Sequence, residues 1–325
     1  MELRLERRSF PLEHPFRITG HTFEYTHALW VIISDGTHTG RGEGIGSYYL
    51  GETVDSMAAE VERFRTDIEA GVSINELVDQ MPAGGARNAV DCALWDLMAK
   101  QRRKRVHEIL QMPSEPVQTV ATVGIGDDEF MAQRAKDFSA YQNLKIKLDR
   151  ERPVERVRLI REARPDANLI IDANQAWERK QLEEVLPALA ELGVEMIEQP
   201  VARGGDAQLE GLDSPIPLGA DESCMKLSEY EAISAYYDVI NIKLDKCGGL
   251  TEALMIAQAA QLDGKRLMVG NMMGTSLSMA PSFLIAQLCD FVDIDGPLLL
   301  EEDIENGLEY LEGGWVNPPS AELWG

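Results

Sequence analysis

From residue 117 onward, the chain alternates between short apolar runs and helical stretches at a near-constant period. The residues at the ends of successive runs are 22 to 27 positions apart: Lys147, Asp172, Glu198, Asp221, Lys243, Gly270 and Asp293. Eight strand–helix units in about 180 residues predict an α/β fold of the (β/α)8-type (TIM-like) barrel class. A doubly wound open sheet is the alternative, but no glycine-rich phosphate-binding fingerprint accompanies the strands.

The residues before the barrel have a different pattern. Residues 1 to about 55 contain β-branched and glycine-rich segments separated by turn signals, such as HALWVIISDG. Two helical patterns follow, and the second, GARNAVDCALWDLMAKQ, is the more apolar. Two prolines in LQMPSEPV, residues 110–117, mark a boundary. We therefore expect a separate first domain that ends near residue 112.

Composition excludes several classes of protein. A net charge of −24 argues against binding to nucleic acid or to anionic membranes, which requires basic patches. No apolar run approaches the length of a membrane span, and the N-terminus lacks the apolar core of a secretory signal. The four cysteines are widely spaced without a C-x-x-C pair, which indicates neither a zinc site nor a disulfide framework. We expect a cytoplasmic protein with reduced thiols.

Ionisable and polar residues recur at the carboxyl ends of the predicted barrel strands, where this fold places its chemistry. Any one of them alone would more often be a rim residue that faces water. Charged groups in strands that are covered on both faces are costly unless they are paired or bound to metal. Their repetition therefore favours a functional site: Lys145, Lys147, Asp172, Asn174, Glu198, Asp221, Glu222, Lys243, Asp293 and Asp295.

Three of these carboxylates predict a metal centre. Asp172, Glu198 and Asp221 end three consecutive strands, so their side chains can converge on one point. Oxygen ligands select a hard cation, Mg²⁺ first, with Mn²⁺ as a substitute. All five histidines precede the barrel, which argues against zinc, non-haem iron and a histidine base: His14, His21, His27, His38 and His107.

The lysines remain for proton transfer. The second and sixth strands of an eight-stranded ring lie opposite each other, so Lys147 and Lys243 would face one another across the metal. Two bases on opposite faces of one carbon suit a 1,1-proton transfer with inversion. Such a base requires a lysine pKa lowered from ~10.4 toward ~7–8, and Lys145 together with the metal would supply the repulsion. The alternative is that Lys145 and Lys147 only neutralise nearby carboxylates.

Several motifs together resemble the enolase superfamily, and specifically its muconate-lactonizing subgroup, over nearly the whole chain. They are Lys-x-Lys in KIK, Asp-x-Asn in DAN, EQP, ADES, and NIKLDKCGGLTEA. The resemblance implies an α+β capping domain, formed by residues 1–112 and the returning tail 301–325, over a barrel at residues 113–300. It also implies one Mg²⁺ per subunit, which stabilises an enediolate formed when a proton α to a carboxylate is removed.

Within the subgroup, Asp293 and Asp295 of DIDGP resemble the Asp-x-Asp pair with which dipeptide epimerases bind the substrate's α-ammonium group. The resemblance thus implies a dipeptide epimerase, in which Thr122 at the end of the first strand also contacts substrate. Other reactions of the subgroup are alternatives: an N-acylamino acid racemase, an o-succinylbenzoate synthase or a cycloisomerase. A metal-binding barrel without turnover is a remote alternative.

One loop departs from the resemblance. Members that epimerise L-Ala-D/L-Glu carry an arginine near residue 20, whereas this chain has Gly20 in RITGHTFEY. The loop instead offers His21, Phe23 and Glu24 as substrate contacts, and Glu24 would repel an anionic side chain. We therefore expect a dipeptide preference that is not strict for glutamate. The sequence leaves the oligomeric state open, and a homo-oligomer is compatible with it.

Overall fold

The structure is a computed structural model that describes residues 1–325. Its strands are β1 (Glu2–Ile18), β2 (His21–Ser34), β3 (Thr39–Gly44), β4 (Val117–Gln118), β5 (Val120–Val123), β6 (Asn143–Lys147), β7 (Asn168–Asp172), β8 (Val194–Glu198), β9 (Leu218–Ala220), β10 (Val239–Ile242), β11 (Arg266–Val269), β12 (Phe291–Val292) and β13 (Trp315–Val316). Its α-helices are α1 (Val54–Arg63), α2 (Arg65–Ala70), α3 (Ile74–Gln80), α4 (Gly85–Arg102), α5 (Val106–Leu110), α6 (Asp128–Asp137), α7 (Pro153–Ala163), α8 (Arg179–Glu191), α9 (Leu227–Ile233), α10 (Leu244–Cys247), α11 (Leu250–Leu262) and α12 (Ser276–Ala286).

The first three strands form an antiparallel sheet in the order β1-β2-β3, and α4 packs against it. Leu29, Val31 and Ile33 of β2 are fully buried on the helix-facing side. The glycines of TGRGEG allow β3 to approach α4 closely, because a Cβ at Gly42 would lie 2.1 Å from the carbonyl oxygen of Ala89. This sheet and its helices form the capping layer above the barrel.

Strands β5 to β12 form one parallel sheet, in which each strand pairs with the next along the chain. Side chains connect β12 back to β5, where no backbone ladder forms. Thr119 Oγ1 accepts a 3.0 Å hydrogen bond from the Ile294 amide, and the Thr122 amide donates to Asp295 Oδ2 at 2.7 Å. The barrel prediction is confirmed, and the open doubly wound sheet is rejected.

The alternation in NLKIKL follows the two covered faces of β6. Leu144 and Ile146 are buried in the apolar layer between strands and helices. Lys145 and Lys147 point into the barrel and are only 1% and 7% exposed, so β6 is not a half-exposed strand. Below them, the barrel interior is filled by a separate apolar cluster: Val120, Ile170, Met196, Val239, Met268 and Phe291.

The C-terminal segment returns to the first half of the chain. Strand β13 pairs with β4, and the Trp324 indole donates to the Cys92 carbonyl oxygen within α4 at 3.0 Å. Helix α4 is therefore covered by its own sheet, by the barrel and by the tail. No helix of the protein is both long and apolar enough to cross a membrane.

Candidate active site

The three predicted metal ligands meet at the carboxyl ends of β7, β8 and β9. Asp172 and Glu198 are paired in register as the last residues of β7 and β8, and Asp221 follows β9 directly. One oxygen from each carboxylate lies within 4.8 Å of the others, and all three residues are buried. The strand repeat thus produces the acidic cluster that the spacing predicted.

Lys145 lies beneath this cluster as a shared counter-ion. Its Nζ is 2.7 Å from Glu198 Oε2, 2.8 Å from Asp293 Oδ2 and 3.2 Å from Asp172 Oδ2. Burial alone would lower the pKa of Lys145, but the charges of Asp293, Glu198 and Asp172 outweigh it and raise the pKa well above its usual value. Lys145 is thus the counter-ion of all three carboxylates in this structure.

Lys147 and Lys243 contact opposite ends of the acidic cluster. Lys147 Nζ lies 2.5 Å from Asp172 Oδ2, and Lys243 Nζ lies 2.7 Å from Asp221 Oδ2. Both lysines line the same cleft. Gly270 leaves room for the second lysine, because a Cβ there would lie 2.8 Å from the Lys243 Cε.

The electrostatic environment of Lys243 differs from the sequence expectation. Burial would lower the pKa of Lys243, but Asp221 and then Glu198 outweigh this effect and raise it above its usual value. The sequence predicted that a neighbouring cation would lower this pKa. The direct ion pair with Asp221 instead favours the ammonium form.

Two residues that hold this cluster were missed by the sequence analysis. Lys246 Nζ lies 2.7 Å from Asp221 Oδ1, and Asn241 Nδ2 donates to Glu198 Oε1 at 2.6 Å. Asn241 precedes Lys243 by two positions and therefore shares its inward face. Lys246 reaches the site because the chain turns into helix α10 directly after Lys243.

The charges at the barrel mouth fit a divalent cation. Buried carboxyl groups outnumber buried lysines here: Asp172, Glu198, Asp221, Glu222, Asp293 and Asp295 lie with Lys145, Lys147, Lys243 and Lys246. Glu198 Oε2 receives no hydrogen bond of suitable geometry, and burial with the charge of Asp172 raises the pKa of Glu198 to about 8. Oxygen donors in this excess suit Mg²⁺, held by Asp172, Glu198 and Asp221.

Asn174 and Glu222 lie at the edge of this cluster and line the cleft. The Asn174 amide donates to Asp172 Oδ1 at 2.9 Å, and its side-chain nitrogen donates to Glu222 Oε1 at 3.4 Å. Burial, followed by the charge of Asp221, raises the pKa of Glu222 to about 7. Asn174 Oδ1 and Glu222 Oε2 have no hydrogen-bond donor, so both oxygens are available to accept one.

Asp293 and Asp295 lie beneath Asn271, which the sequence analysis did not identify. Asn271 Nδ2 donates to Asp293 Oδ1 at 2.8 Å and to Asp295 Oδ1 at 3.2 Å, and Asn271 itself lines the cleft. Burial, followed by the charge of Asp293, raises the pKa of Asp295 to about 8. The predicted substrate contact Thr122 lies outside the cleft and meets Asp295 through its backbone amide.

The capping layer closes one side of a cleft of about 540 Å³. The Tyr48 ring contacts the rings of His21 and Phe23 edge-on, with centroids 4.6 and 5.3 Å apart. Phe23 and Tyr48 line the cleft, whereas His21 and Glu24 do not. Because side chains alternate along β2, Glu24 is exposed and points away from Phe23, so the predicted repulsion by Glu24 has no structural support.

Comparison with known proteins identifies the family. Residues 129–322 match the enolase C-terminal domain-like family. The chain belongs to the enolase superfamily. The "L-Ala-D/L-Glu epimerase" of Escherichia coli K12 is 38% identical over 94% of this chain and 96% of its own length. The "N-acetyl-D-glutamate racemase" of a Pseudoalteromonas species is also 38% identical, over 91% and 94% respectively.

Solved structures of enolase-superfamily members show the same architecture. A member from Agrobacterium tumefaciens, described as having homology to dipeptide epimerases and bound to sodium and L-Ala-L-Glu, is 41% identical. It covers 99% of each chain with a TM-score of 0.96. The dipeptide epimerase of Enterococcus faecalis, complexed with Mg and L-Leu-L-Tyr, is 29% identical over 97% and 96% of the two chains with a TM-score of 0.91.

Proposed function

We propose that this protein is a Mg²⁺-dependent dipeptide epimerase, an isomerase that inverts the α-carbon of the C-terminal residue of an L,X dipeptide. The observation that carries the proposal is the placement of Lys147 and Lys243. Each lysine contacts a different terminal carboxylate of the acidic cluster, at 2.5 and 2.7 Å, and both line one cleft. A carbon held between them is accessible to a base from either face.

The proposed chemistry requires the two lysines to be in opposite protonation states. Asp172, Glu198 and Asp221 would hold Mg²⁺, whose positive charge would stabilise the negative charge that forms on the substrate carboxylate when the α-proton is removed. One lysine, as a neutral amine, removes the proton, and the other, as an ammonium ion, delivers a proton to the opposite face. The two substrate epimers therefore use the same pair of lysines in exchanged roles.

Asp293 and Asp295 supply the site for the substrate's ammonium group. Two buried carboxylates attract a cation strongly in a low-dielectric mouth. Asn271 separates this pair from the cleft and donates to both carboxylates. An ammonium group would take over the donor role of Asn271, which places the amino terminus at this end of the cleft.

The part of the cleft beside Lys147 and Lys243 favours substrates whose second side chain is not restricted to glutamate. Its wall beside the lysines is formed by Phe16, Ile18 and Phe23, and Arg17 of the same hairpin is exposed and lines no part of it. Relatives that share this fold act on varied side chains, as the "Hydrophobic dipeptide epimerase" of Roseobacter litoralis illustrates at 34% identity. Equal or better turnover of L-Ala-L-Glu than of every apolar and cationic dipeptide would contradict this preference.

The experiment for the reaction is proton exchange in D₂O with single lysine variants. We expect the wild type to incorporate deuterium at the α-carbon of the second residue of free dipeptides. Lys147→Ala and Lys243→Ala should each abolish epimerisation, and each should retain exchange with only one of the two epimers. Lys180→Ala is the control, because that side chain is 89% exposed. Unchanged exchange in both active-site variants would refute the two-base mechanism.

An N-acylamino acid racemase is the second candidate, and its support is the 38% identity to the Pseudoalteromonas racemase. The same exchange experiment separates the two, because a racemase of that class would exchange N-acetylated amino acids faster than free dipeptides.

A cytoplasmic location belongs to the proposal as well. All four cysteines are free thiols, as is usual for proteins of reducing compartments.

A further inference from the structure

Asp221 differs from the other two proposed metal ligands in what fixes its backbone. Asp172 and Glu198 are the last residues of β7 and β8, and they pair with each other in the parallel ladder. Asp221 lies one residue beyond β9, which ends at Ala220, and it pairs with no residue of β8 or β10. The regular sheet therefore does not determine where the Asp221 carboxylate lies, and another contact must do so.

The side chain of Gln199, the middle residue of EQP, provides this contact. Its Oε1 accepts hydrogen bonds from the backbone amides of Asp221 at 2.9 Å and of Ser223 at 3.0 Å. Buried backbone amides require an acceptor, and past the end of β9 no strand supplies one. Because Gln199 directly follows Glu198 in the chain, one residue connects two of the three proposed metal ligands.

The Gln199 amide is fixed in turn by a buried network. Its Nε2 lies 2.9 Å from the Val201 carbonyl oxygen, 2.8 Å from Ser223 Oγ and 3.1 Å from the Tyr237 hydroxyl oxygen. The hydroxyl groups of Ser223 and Tyr237 both donate to Asp206 Oδ1. The four side chains of the network are at most 7% exposed: Gln199, Asp206, Ser223 and Tyr237. Rotation of the amide would leave buried donors and acceptors unpaired, so the network keeps Oε1 directed at the two backbone amides.

Gln199 also has an unusual backbone conformation. Its φ of 37° lies in the left-handed region, which residues other than glycine rarely adopt. A residue remains in such a conformation only where its surroundings hold it there, and strain of this kind clusters at functional sites. Gln199 lines no part of the cleft, so the contacts that hold it lead to a metal ligand rather than to the substrate.

We propose that Gln199 is a positioning residue for the metal centre. Its side-chain amide holds the backbone of Asp221, so that the carboxylate oxygens of Asp172, Glu198 and Asp221 stay within 4.8 Å of one another. This is the arrangement in which all three reach one divalent cation. The inference rests on the proposed metal centre and extends it to a residue that is not itself a ligand.

The test measures the affinity for Mn²⁺, a substitute for Mg²⁺ whose free concentration is read by electron paramagnetic resonance. Gln199→Asn is the main variant, because asparagine tolerates the left-handed conformation but is one methylene too short to reach the Asp221 amide. We expect its Kd for Mn²⁺ to rise about ten- to hundredfold, as is usual when a group that orients a metal ligand is lost. Each protein is measured far below its melting temperature, so that stability does not limit the folded fraction.

Gln175→Asn is the matched control. Gln175 is also a left-handed glutamine beyond the end of a barrel strand, with a φ of 67°. Its Oε1 accepts a hydrogen bond from the Arg203 amide at 3.0 Å and none from the residues of the metal centre. The same shortening at this position should leave the Kd for Mn²⁺ at its wild-type value.

Two further measurements separate positioning from a general loss of stability. Ser223→Ala removes the hydroxyl that accepts from Gln199 but keeps its own backbone amide, and should raise the Kd for Mn²⁺ by only about threefold. In the D₂O exchange assay, Gln199→Asn should need more Mg²⁺ for its half-maximal rate, by the same factor as its loss of Mn²⁺ affinity. It should recover the wild-type kcat at saturating Mg²⁺, whereas a folding defect would lower kcat at every Mg²⁺ concentration.

The inference and the proposed function fail in different ways. If Gln199→Asn binds Mn²⁺ as tightly as the wild type, or if Gln175→Asn loses as much affinity, the inference is overturned while the epimerase function stands. If the wild type binds Mn²⁺ but exchanges no dipeptide, the proposed function fails, and the Mn²⁺ affinities still decide the role of Gln199. If the wild type binds no Mn²⁺, the metal centre and the inference fail together.

Discussion

Asp245 connects the capping layer to the turn that carries Lys243: its Oδ1 accepts a 2.8 Å hydrogen bond from the backbone amide of Ile45. The same oxygen accepts from the Gly46 amide at 3.1 Å. Asp245 lies two residues after Lys243, in the single turn of α10. The loop that bears Tyr48 is therefore attached to the segment that positions one of the two proposed bases.

Removing this carboxylate should weaken substrate binding more than catalysis. Asp245→Ala deletes two hydrogen bonds to a charged acceptor, each worth about 1.5–3 kcal/mol, and frees the loop that walls the cleft. We expect the KM for dipeptides to rise about tenfold with a smaller fall in kcat, together with faster proteolysis of the loop. Asp263→Ala is the control, because Asp263 accepts only from Tyr230 at the far end of α11. A fall in kcat at constant KM would show instead that Asp245 acts on Lys243.

Mg²⁺ should stabilise the fold through the acidic cluster. A ligand at one hundred times its Kd adds about 2.7 kcal/mol to the free energy of unfolding. We expect the melting temperature to rise with MgCl₂ and to return on addition of EDTA. Glu198→Gln should lose this response, whereas the exposed Asp213→Asn should retain it. An equal response in Glu198→Gln would place the bound ion elsewhere.

Asp295 should determine the preference for a free amino terminus. Asp295→Asn removes the ionisable carboxyl group that would pair with the ammonium group but keeps an oxygen for the Thr122 amide, so the strand contact survives. A charge-assisted contact of about 1.5–3 kcal/mol predicts a rise in KM for free dipeptides of roughly ten- to hundredfold. Steady-state kinetics with free and N-acetylated dipeptides measure this effect. Asp290→Asn, which alters an exposed ion pair at the start of β12, is the control. Wild-type enzyme that prefers the acetylated peptide would favour the racemase candidate.

Glu43 should make stability depend on pH. Burial raises the pKa of Glu43 to about 7, even though Thr275 and Trp30 donate hydrogen bonds to it. Because the folded-state pKa lies above the unfolded value of about 4.5, this group's contribution to stability is full below pH 4.5 and is lost as the pH rises through 7. The loss is on the order of 3 kcal/mol at most.

Glu43→Gln should remove this dependence. In thermal unfolding from pH 5 to 8, the melting temperature of the wild type should fall relative to that of Glu43→Gln. The exposed Glu312→Gln should follow the wild type. Parallel curves for wild type and Glu43→Gln would mean that the carboxyl group titrates near its ordinary pKa.

The repeating parts of the fold and the site were predictable from the sequence, because the regular spacing of the strand–helix units determines them. The spacing of Lys147, Asp172 and Glu198 placed them at equal heights in neighbouring strands, as the observed register shows. The alternation in β6 likewise places Lys145 and Lys147 on one face of the strand. In each case a local rule of strand geometry fixes where the side chain points.

The parts that the sequence did not reveal depend on irregular segments. Lys246 reaches Asp221 only because the chain turns into α10 directly after β10. Asn271 covers Asp293 and Asp295 from a loop, and the outward direction of Glu24 depends on the pairing of a long hairpin. No short-range periodicity encodes these orientations, since tertiary contacts decide them.

The junction between β5 and β12 has a consequence for how this barrel and its substrate depend on each other. Backbone hydrogen bonds join all the remaining pairs of neighbouring barrel strands. Between β12 and β5, the Asp295 side chain instead accepts a hydrogen bond from the backbone amide of Thr122. The carboxylate proposed to recognise the substrate's amino terminus thus also connects the first and last strands of the barrel. Substitutions of Asp295 are therefore constrained by barrel closure as well as by substrate recognition. A variant that changes the preference for the substrate's amino terminus must still accept the hydrogen bond from Thr122.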